Sequence, residues 1–335
     1  MRKLILVLFS ALLGIHSQAQ ENTAISTQTG NQNSSSQTQT GFQNLSEANS
    51  TGDENTVILV QRGEFNESYQ TQTGDNNRAV VRQVGSEFVQ SFTVGNLAEQ
   101  NQTGNNNRAT IIQLEFGNNY GYQEQNGNGN RARILQAGGS GGNSGGPQPQ
   151  AQSSFTASVV LGSYSNEAFQ VQNGNRNAAR SAQFGDENFV NILQTGNRNK
   201  VGTFQLGEEN EADVIQLGNR NFAGQSALAN PGIVQEGIGN YALLLQDGND
   251  NSHFTTQEGR RNESYQDVFG DFNVGETEQF GNRNLAEMEQ NGMDNFASIF
   301  QDGRRNFSGI SQFGTGNNAQ TLQMGNRNSA TISQN

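Results

Sequence analysis

An all-β solenoid is the fold class this sequence predicts, built of strand-turn-strand coils of about 22 residues, each made of two half-repeats of eleven. Three observations carry that expectation. The pattern Gln-x-Gly-x-x-Asn recurs along nearly the whole chain, from Gln28, Gln39 and Gln61 to Gln290, Gln301, Gln312 and Gln323, and successive copies usually start eleven residues apart. Apolar residues follow each Asn with a period of two. The turns alternate in charge from one half-repeat to the next. A fixed short period means stacked units rather than a globule with one core, so function is sought in a surface or a polymer and not in a pocket.

The first element stands outside the repeat. Arg2 and Lys3 precede an apolar run from Leu4 to Ile15, and Ser17-Gln18-Ala19 supplies a small-x-small cleavage site. Residues 1–19 therefore read as a secretory signal peptide, the run being too short and wrongly flanked for a transmembrane helix. Cleavage after Ala19 removes two positive charges and takes the formal net charge from −12 to −14. An acidic total argues against nucleic acid as the main partner, because phosphate binding needs a basic footprint. The chain has no cysteine, so an exported protein of this size must hold together without disulfides. Its 31% hydrophobic content and mean hydropathy of −0.74 are values common in disordered chains. Disorder does not predict periodic apolar residues, and the repeat decides the matter.

The repeat itself reads as a turn followed by a strand. In the unit from Gln205 to Gln216, Gly207 to Asn210 is a tight turn, with Gly and Asn taking conformations that other residues resist. From there, alternate residues form one set: Asn210, Ala212, Val214 and Gln216. The equivalent set is Asn107, Ala109, Ile111 and Gln113 in one copy, and Asn295, Ala297, Ile299 and Gln301 in another. Period two is a strand, and this set is its inner face. Buried amides are costly unless their donors and acceptors are paired. Stacking like amides about 4.8 Å apart, in cross-β, amyloid-like fashion, pairs each with the copy above and below. The expected ladder holds Gln72, Asn77, Gln102, Asn107, Gln172, Asn177, Gln194, Asn199, Gln205, Asn210, Gln216, Gln279, Asn284, Gln301, Asn306, Gln323 and Asn328. The expected turn glycines are Gly74, Gly104, Gly174, Gly196, Gly207, Gly218, Gly281, Gly303 and Gly325.

One strand and one turn make half a coil, and the turn charges support the doubled period. Arginine turns stand at Arg176, Arg198, Arg220, Arg260-Arg261, Arg283, Arg304-Arg305 and Arg327. Acidic turns fall between them at Asp186-Glu187, Glu208-Glu209, Asp250, Asp271 and Asp294, with neutral exceptions at Ile238 and Thr315. The expectation is a coil with one edge carrying an arginine row and the other a carboxylate row, despite the repulsion of like charges in a row.

Along the chain, repeat blocks at 20–136 and 155–335 flank a Gly/Pro/Ser-rich segment, 137–154, of linker composition. It either joins two solenoids or loops out of one, and the matching repeat on both sides favours the loop. Two intervals, Gln83 to Gln102 and Gln216 to Gln235, span nineteen residues, three short of a coil, which suggests a shortened or distorted turn in each. The repeat runs from just after the cleavage site to Asn335 without a capping element, an expected template for head-to-tail growth.

Chemistry has little to work with. His253, the one histidine beyond the signal peptide, occupies an inner-face position and reads as structural. No Cys/His cluster suits a transition metal. Calcium-binding nonapeptide solenoids carry Asp where this chain has Asn. Neighbouring acids such as Glu208-Glu209 are repeated and exposed, unlike a glycosidase pair. No catalytic, cofactor-binding or metal-binding residue is expected, nor any cofactor, and the chain is not expected to be an enzyme.

The full motif, as in Gln72-Thr73-Gly74-Asp75-Asn76-Asn77-Arg78-Ala79-Val80-Val81-Arg82-Gln83 and in the stretch from Gln102 to Gln113, resembles the curlin repeat. The resemblance covers almost all of the chain beyond residue 19. It implies a subunit of curli, the functional amyloid fibres assembled outside Gram-negative bacteria. It further implies self-polymerisation, a related nucleator subunit, export through a dedicated outer-membrane pore, and roles in adhesion to host or abiotic surfaces and in biofilm matrix. This chain differs in its larger number of units and in its Gly/Pro insert, which leaves major and nucleator subunit both open. The competing reading is a monomeric solenoid adhesin or other surface-binding module, which calls for capped ends and a flat, regular outer face.

Overall fold

A computed structural model describes residues 21–85, 95–114, 119–137, 165–225 and 230–335. The expected signal peptide, and all of the 137–154 segment beyond Ala137, lie outside them. Every regular element among the described residues is a β-strand, mostly of seven to nine residues, from Thr23–Thr29 to Ser329–Gln334. Successive strands alternate between two sheets. The first sheet has 13 strands and the second 14, and nearly all neighbours within each are parallel and in register. The chain thus winds about 12 turns of a β-solenoid, with copies roughly 22 residues apart stacked on one another.

The period-two pattern explains the layers. Inward residues of the two sheets meet in a narrow interior, where Ala212 and Val214 are fully buried along with the amides Asn210 and Gln216. Successive side chains point to opposite faces of a strand, and only the inner face meets the other sheet, so outward positions stay half-exposed or exposed. One apolar cluster runs from Leu59 to Leu244, and a second from Ala286 to Ala319 with Ile332 against it. Between them the interior is polar, filled by His253, Thr255, Ser264, Gln266 and Thr277.

The stack runs on across the Gly/Pro-rich segment: Gln125 pairs in register with Gln172, and Gln136 with Gln183. The nineteen-residue intervals differ from expectation. Each is a half-coil lengthened by eight residues, not a coil shortened by three, so Gln83 and Gln102 lie in opposite sheets, stacked on Gln113 and Gln72. In the second interval the extra residues interrupt a strand and not a turn. Ala223 stacks on Val201, the chain leaves through an antiparallel pairing of Gly224 with Pro231, and Ile233 re-enters beside Thr203.

Candidate functional site: the stacked amide rows

Nearly every described turn is shaped by two left-handed residues. The first is the motif glycine, as at Gly303 with φ 133, where an added Cβ would come within 1.8 Å of the Gly325 carbonyl oxygen of the next coil. Glycine is required there both for its dihedral and for this close approach. The second is the residue before the motif Asn, such as Arg176 at φ 58, Glu209 at φ 55 and Phe272 at φ 58. This corrects the expectation that Asn itself supplies the unusual conformation. Its side chain, not its backbone angle, is what the turn uses.

The Asn side chains tie turn to turn through backbone groups. The Asn177 Oδ1 accepts the Asn199 backbone N–H at 3.0 Å, and its Nδ2 donates to the Gly196 carbonyl at 2.9 Å. The same donation runs from Asn77 to Gly104, Asn107 to Gly127, Asn199 to Gly218 and Asn210 to Gly237. It recurs from Asn284 to Gly303 and from Asn306 to Gly325. Asn328, in the last turn, turns its Nδ2 to the Met324 carbonyl while its backbone N–H donates to Asn306 Oδ1. The picture of Asn amides pairing simply with one another is therefore corrected. Amide-to-amide contacts are added on some levels, as from Asn188 to Asn166 at 3.1 Å, but the backbone is the constant partner. The physical reason is reach: the short Asn side chain beside a turn meets the orphan carbonyl before it meets another amide.

The Gln side chains do stack on each other. In the first sheet, Gln72, Gln102, Gln125, Gln172, Gln194, Gln216 and Gln246 form one row of Nε2–H to Oε1 bonds between 2.7 and 2.9 Å. In the second sheet the row passes from Gln39 to Gln323 without a gap. Gln205, Gln235, Gln257, Gln279, Gln301 and Gln323 are joined at 2.8 to 2.9 Å. The second amide hydrogen goes to backbone, as from Gln205 to the carbonyls of Phe189 and Asn210, both at 2.9 Å.

Four ladder residues escaped the sequence reading, which placed amides only at the rims of the inner face. Gln70, Gln100, Gln123 and Gln170 occupy the mid-strand inner position and bond in series at 2.9 to 3.1 Å. Their signal was present, a Gln two residues before the motif Gln in each strand. The first-sheet row breaks at Val268, and Gln290 Oε1 beyond it has no hydrogen-bond partner. His253 lies fully buried with neither ring nitrogen bonded, and burial pushes its imidazole down to about 3. It fills the space beside Gly275, where a Cβ would come within 2.2 Å of its Nδ1.

The turn charges do not keep to one edge. On one edge Arg176, Arg198 and Arg220 stack first, followed by Asp250, Asp271 and Asp294. On the other, Asp186-Glu187 and Glu208-Glu209 come first, and Arg260-Arg261, Arg283, Arg304-Arg305 and Arg327 follow. The rows exchange edges because the neutral turn at Ile238 takes a place in the alternation and reverses its phase. At the exchange Arg220 stacks on Asp250 and pairs with it. With Arg220 largely exposed, the pair contributes about 0–1 kcal/mol. A shallow groove on the first edge is lined by Asn106, Asn128, Gly129, Asn175, Arg176, Asn197 and Arg198.

Comparison with known families is consistent with this geometry. Residues 52–85, 185–218, 270–303 and 292–320 each match the family model described as the curlin associated repeat. No curated protein matches the chain.

Proposed function

From a chain that carries curlin associated repeats in one in-register stack, we propose a structural role: a secreted subunit that polymerises by coil-on-coil stacking into a curli-type extracellular fibre. One observation carries the proposal. Adjacent coils are joined at nearly every level by the same bonds, the Gln rows and the Asn-to-Gly contacts, so a coil from another copy meets a partner it already fits. The strands at the two ends of the stack leave inner positions uncovered, Ala24 and Gln28 exposed and Gln334 half-exposed, the groups that such a coil would cover.

The finer assignments follow the same reading. Export through an outer-membrane pore, nucleation by a related subunit, and service in adhesion and biofilm matrix outside a Gram-negative cell all fit a fibre subunit of this family. The role is non-catalytic, the buried amides serving register rather than chemistry. The test is to incubate the purified protein and follow thioflavin signal, sedimentation and electron micrographs together. Sedimenting unbranched fibres are expected; a protein that stays monomeric through prolonged incubation contradicts the proposal.

A further inference from the structure

The outward side chains of the two sheets are sorted by charge. Across the first sheet the outward strand positions include Glu47, Glu99, Glu124, Asp213, Asp267 and Glu289, and none in the described strands is lysine or arginine. The carboxylates crowd one another along and across the strands: burial and Asp213, two residues on in the same strand, push Glu211 up, and burial and the stacked Glu289 push Asp267 up. The second sheet is the reverse between Thr56 and Leu206. Arg78, Arg108 and Arg131 stack directly in consecutive strands. Arg133 stacks on Arg180, and burial together with Arg180 lowers its affinity for its proton. Ahead of the turn glycines, no outward position in those strands is acidic.

Like charges stacked about 4.8 Å apart repel, and each face holds what the other lacks. Apolar rows accompany both sets of charges. Ile112, Leu114, Leu135 and Phe184 lie on the basic face. Val171, Leu193, Ile215 and Leu245 stack in consecutive strands of the acidic one. We propose that the basic block of one copy packs face to face on the acidic first sheet of a second copy, joining stacks side by side.

Six strands spaced about 4.8 Å apart, each about 23 Å long, give a contact of roughly 1,300 Å² over both partners, within the range of stable interfaces. A polyanion would answer the arginines but leave the apolar rows wet and the acidic sheet unrelieved. The acidic residues Glu236, Glu258 and Glu276 of the second sheet make a poorer partner face, because the Gly224–Pro231 excursion interrupts that sheet. The first sheet is unbroken from Thr23 to Gln334. The contact is heterologous, so it does not close on itself and permits bundles.

The inference rests on the fibre reading, and its test separates the two. One variant carries Arg78→Glu, Arg82→Glu, Arg108→Glu and Arg131→Glu; a second carries Glu99→Lys, Glu124→Lys, Asp213→Lys and Asp267→Lys. Thioflavin kinetics report elongation, and filament width with turbidity reports lateral contact. Either variant alone should elongate as the parent does but bundle about fivefold less, since facing charges then repel. Mixing the two should restore bundling, and about 0.5 M salt should disperse parental bundles. Unchanged bundling in the variants, or a mixture that stays dispersed, overturns the proposal. So does bundling that is unaffected while retention of a single-stranded oligonucleotide is lost, which marks a polyanion surface instead. If no protein forms filaments, the fibre reading fails by itself. Face pairing is then read from soluble copies, where the parent should self-associate at low salt and each variant alone should not; equal sedimentation of all three overturns it.

Discussion

The two sheets bury the same motif glutamine with different completeness. In the second sheet the row runs unbroken from Gln39 to Gln323, and each buried amide finds a donor and an acceptor. In the first, Val268 replaces one member, leaving Gln290 Oε1 unpaired and Gln246 Nε2 with only a 3.3 Å bond to the Phe222 carbonyl. The stack crosses the gap in register all the same, Ala242 on Ser264 and Ser264 on Ala286. Val268 strands a single neighbouring acceptor, Gln290 Oε1, at a cost of about 1–3 kcal/mol, and the backbone ladder carries the register past it. The row is therefore a register device that tolerates a gap in one sheet while its counterpart is whole.

The largest effect should come from breaking the whole row. Gln257→Leu strands the Gln279 Oε1 and removes a bond to the Tyr241 carbonyl, and it should cost about 3 kcal/mol in urea unfolding of the soluble solenoid. A loss below half that would mean neighbouring amides re-pair. The next effect concerns the polar interior beside the gap. His253 has a folded pKa near 3, below its ordinary value of 6.5, so the unfolded chain takes up the proton first. Its share of stability is complete above pH 6.5 and is lost as pH falls toward 3, with a slope of about 1.4 kcal/mol per pH unit. The neighbours Ala223, Gly275 and Met288 are uncharged. The difference between the parent and His253→Ala stability profiles should follow that slope from pH 6 to 4; parallel profiles would show the ring to be solvated.

Mending the gap should have a smaller effect of opposite sign. Val268→Gln gives Gln290 Oε1 a donor and Gln246 Nε2 an acceptor, and it should stabilise by about 1 kcal/mol, read from the same unfolding curves. A destabilised variant would show that this level lacks room for the amide. The smallest effect is expected at the turns. Arg304→Ala with Arg305→Ala should change stability by no more than about 0.5 kcal/mol, because both side chains are exposed. Gln301→Ala with Asn306→Ala should slow assembly far more, and equal slowing by the two pairs would remove the amides from their registering role.

Most of this architecture was legible in the sequence, because one short period forces strand, turn and inner face together. The residues that escaped show where such reading stops. Gln70, Gln100, Gln123 and Gln170 lie at inner positions the average repeat fills with aliphatics, and only their own register exposes them. The arginine and carboxylate turns were legible as alternating, but their edges were not. The phase depends on how Ile238 and the excursion before Ile233 are counted, and strand pairing decides that. The charge sorting of the outer faces was hidden for the same reason, since it emerges only when alternate half-repeats are assigned to different sheets. Left-handed backbone at Phe65 and Phe272 runs against the local preferences of those residues, and it is imposed by the glycine-to-glycine stacking beside them.

The central claim, that the stack continues from one molecule into the next, is tested most directly by diffraction from aligned fibres of the purified protein. Coil-on-coil polymerisation predicts a meridional reflection near 4.8 Å with an equatorial one near 10 Å, because strands lie across the fibre axis and the two sheets pack face to face. Fibres whose strand-spacing reflection lies on the equator, or preparations that never align because no fibres form, would contradict it.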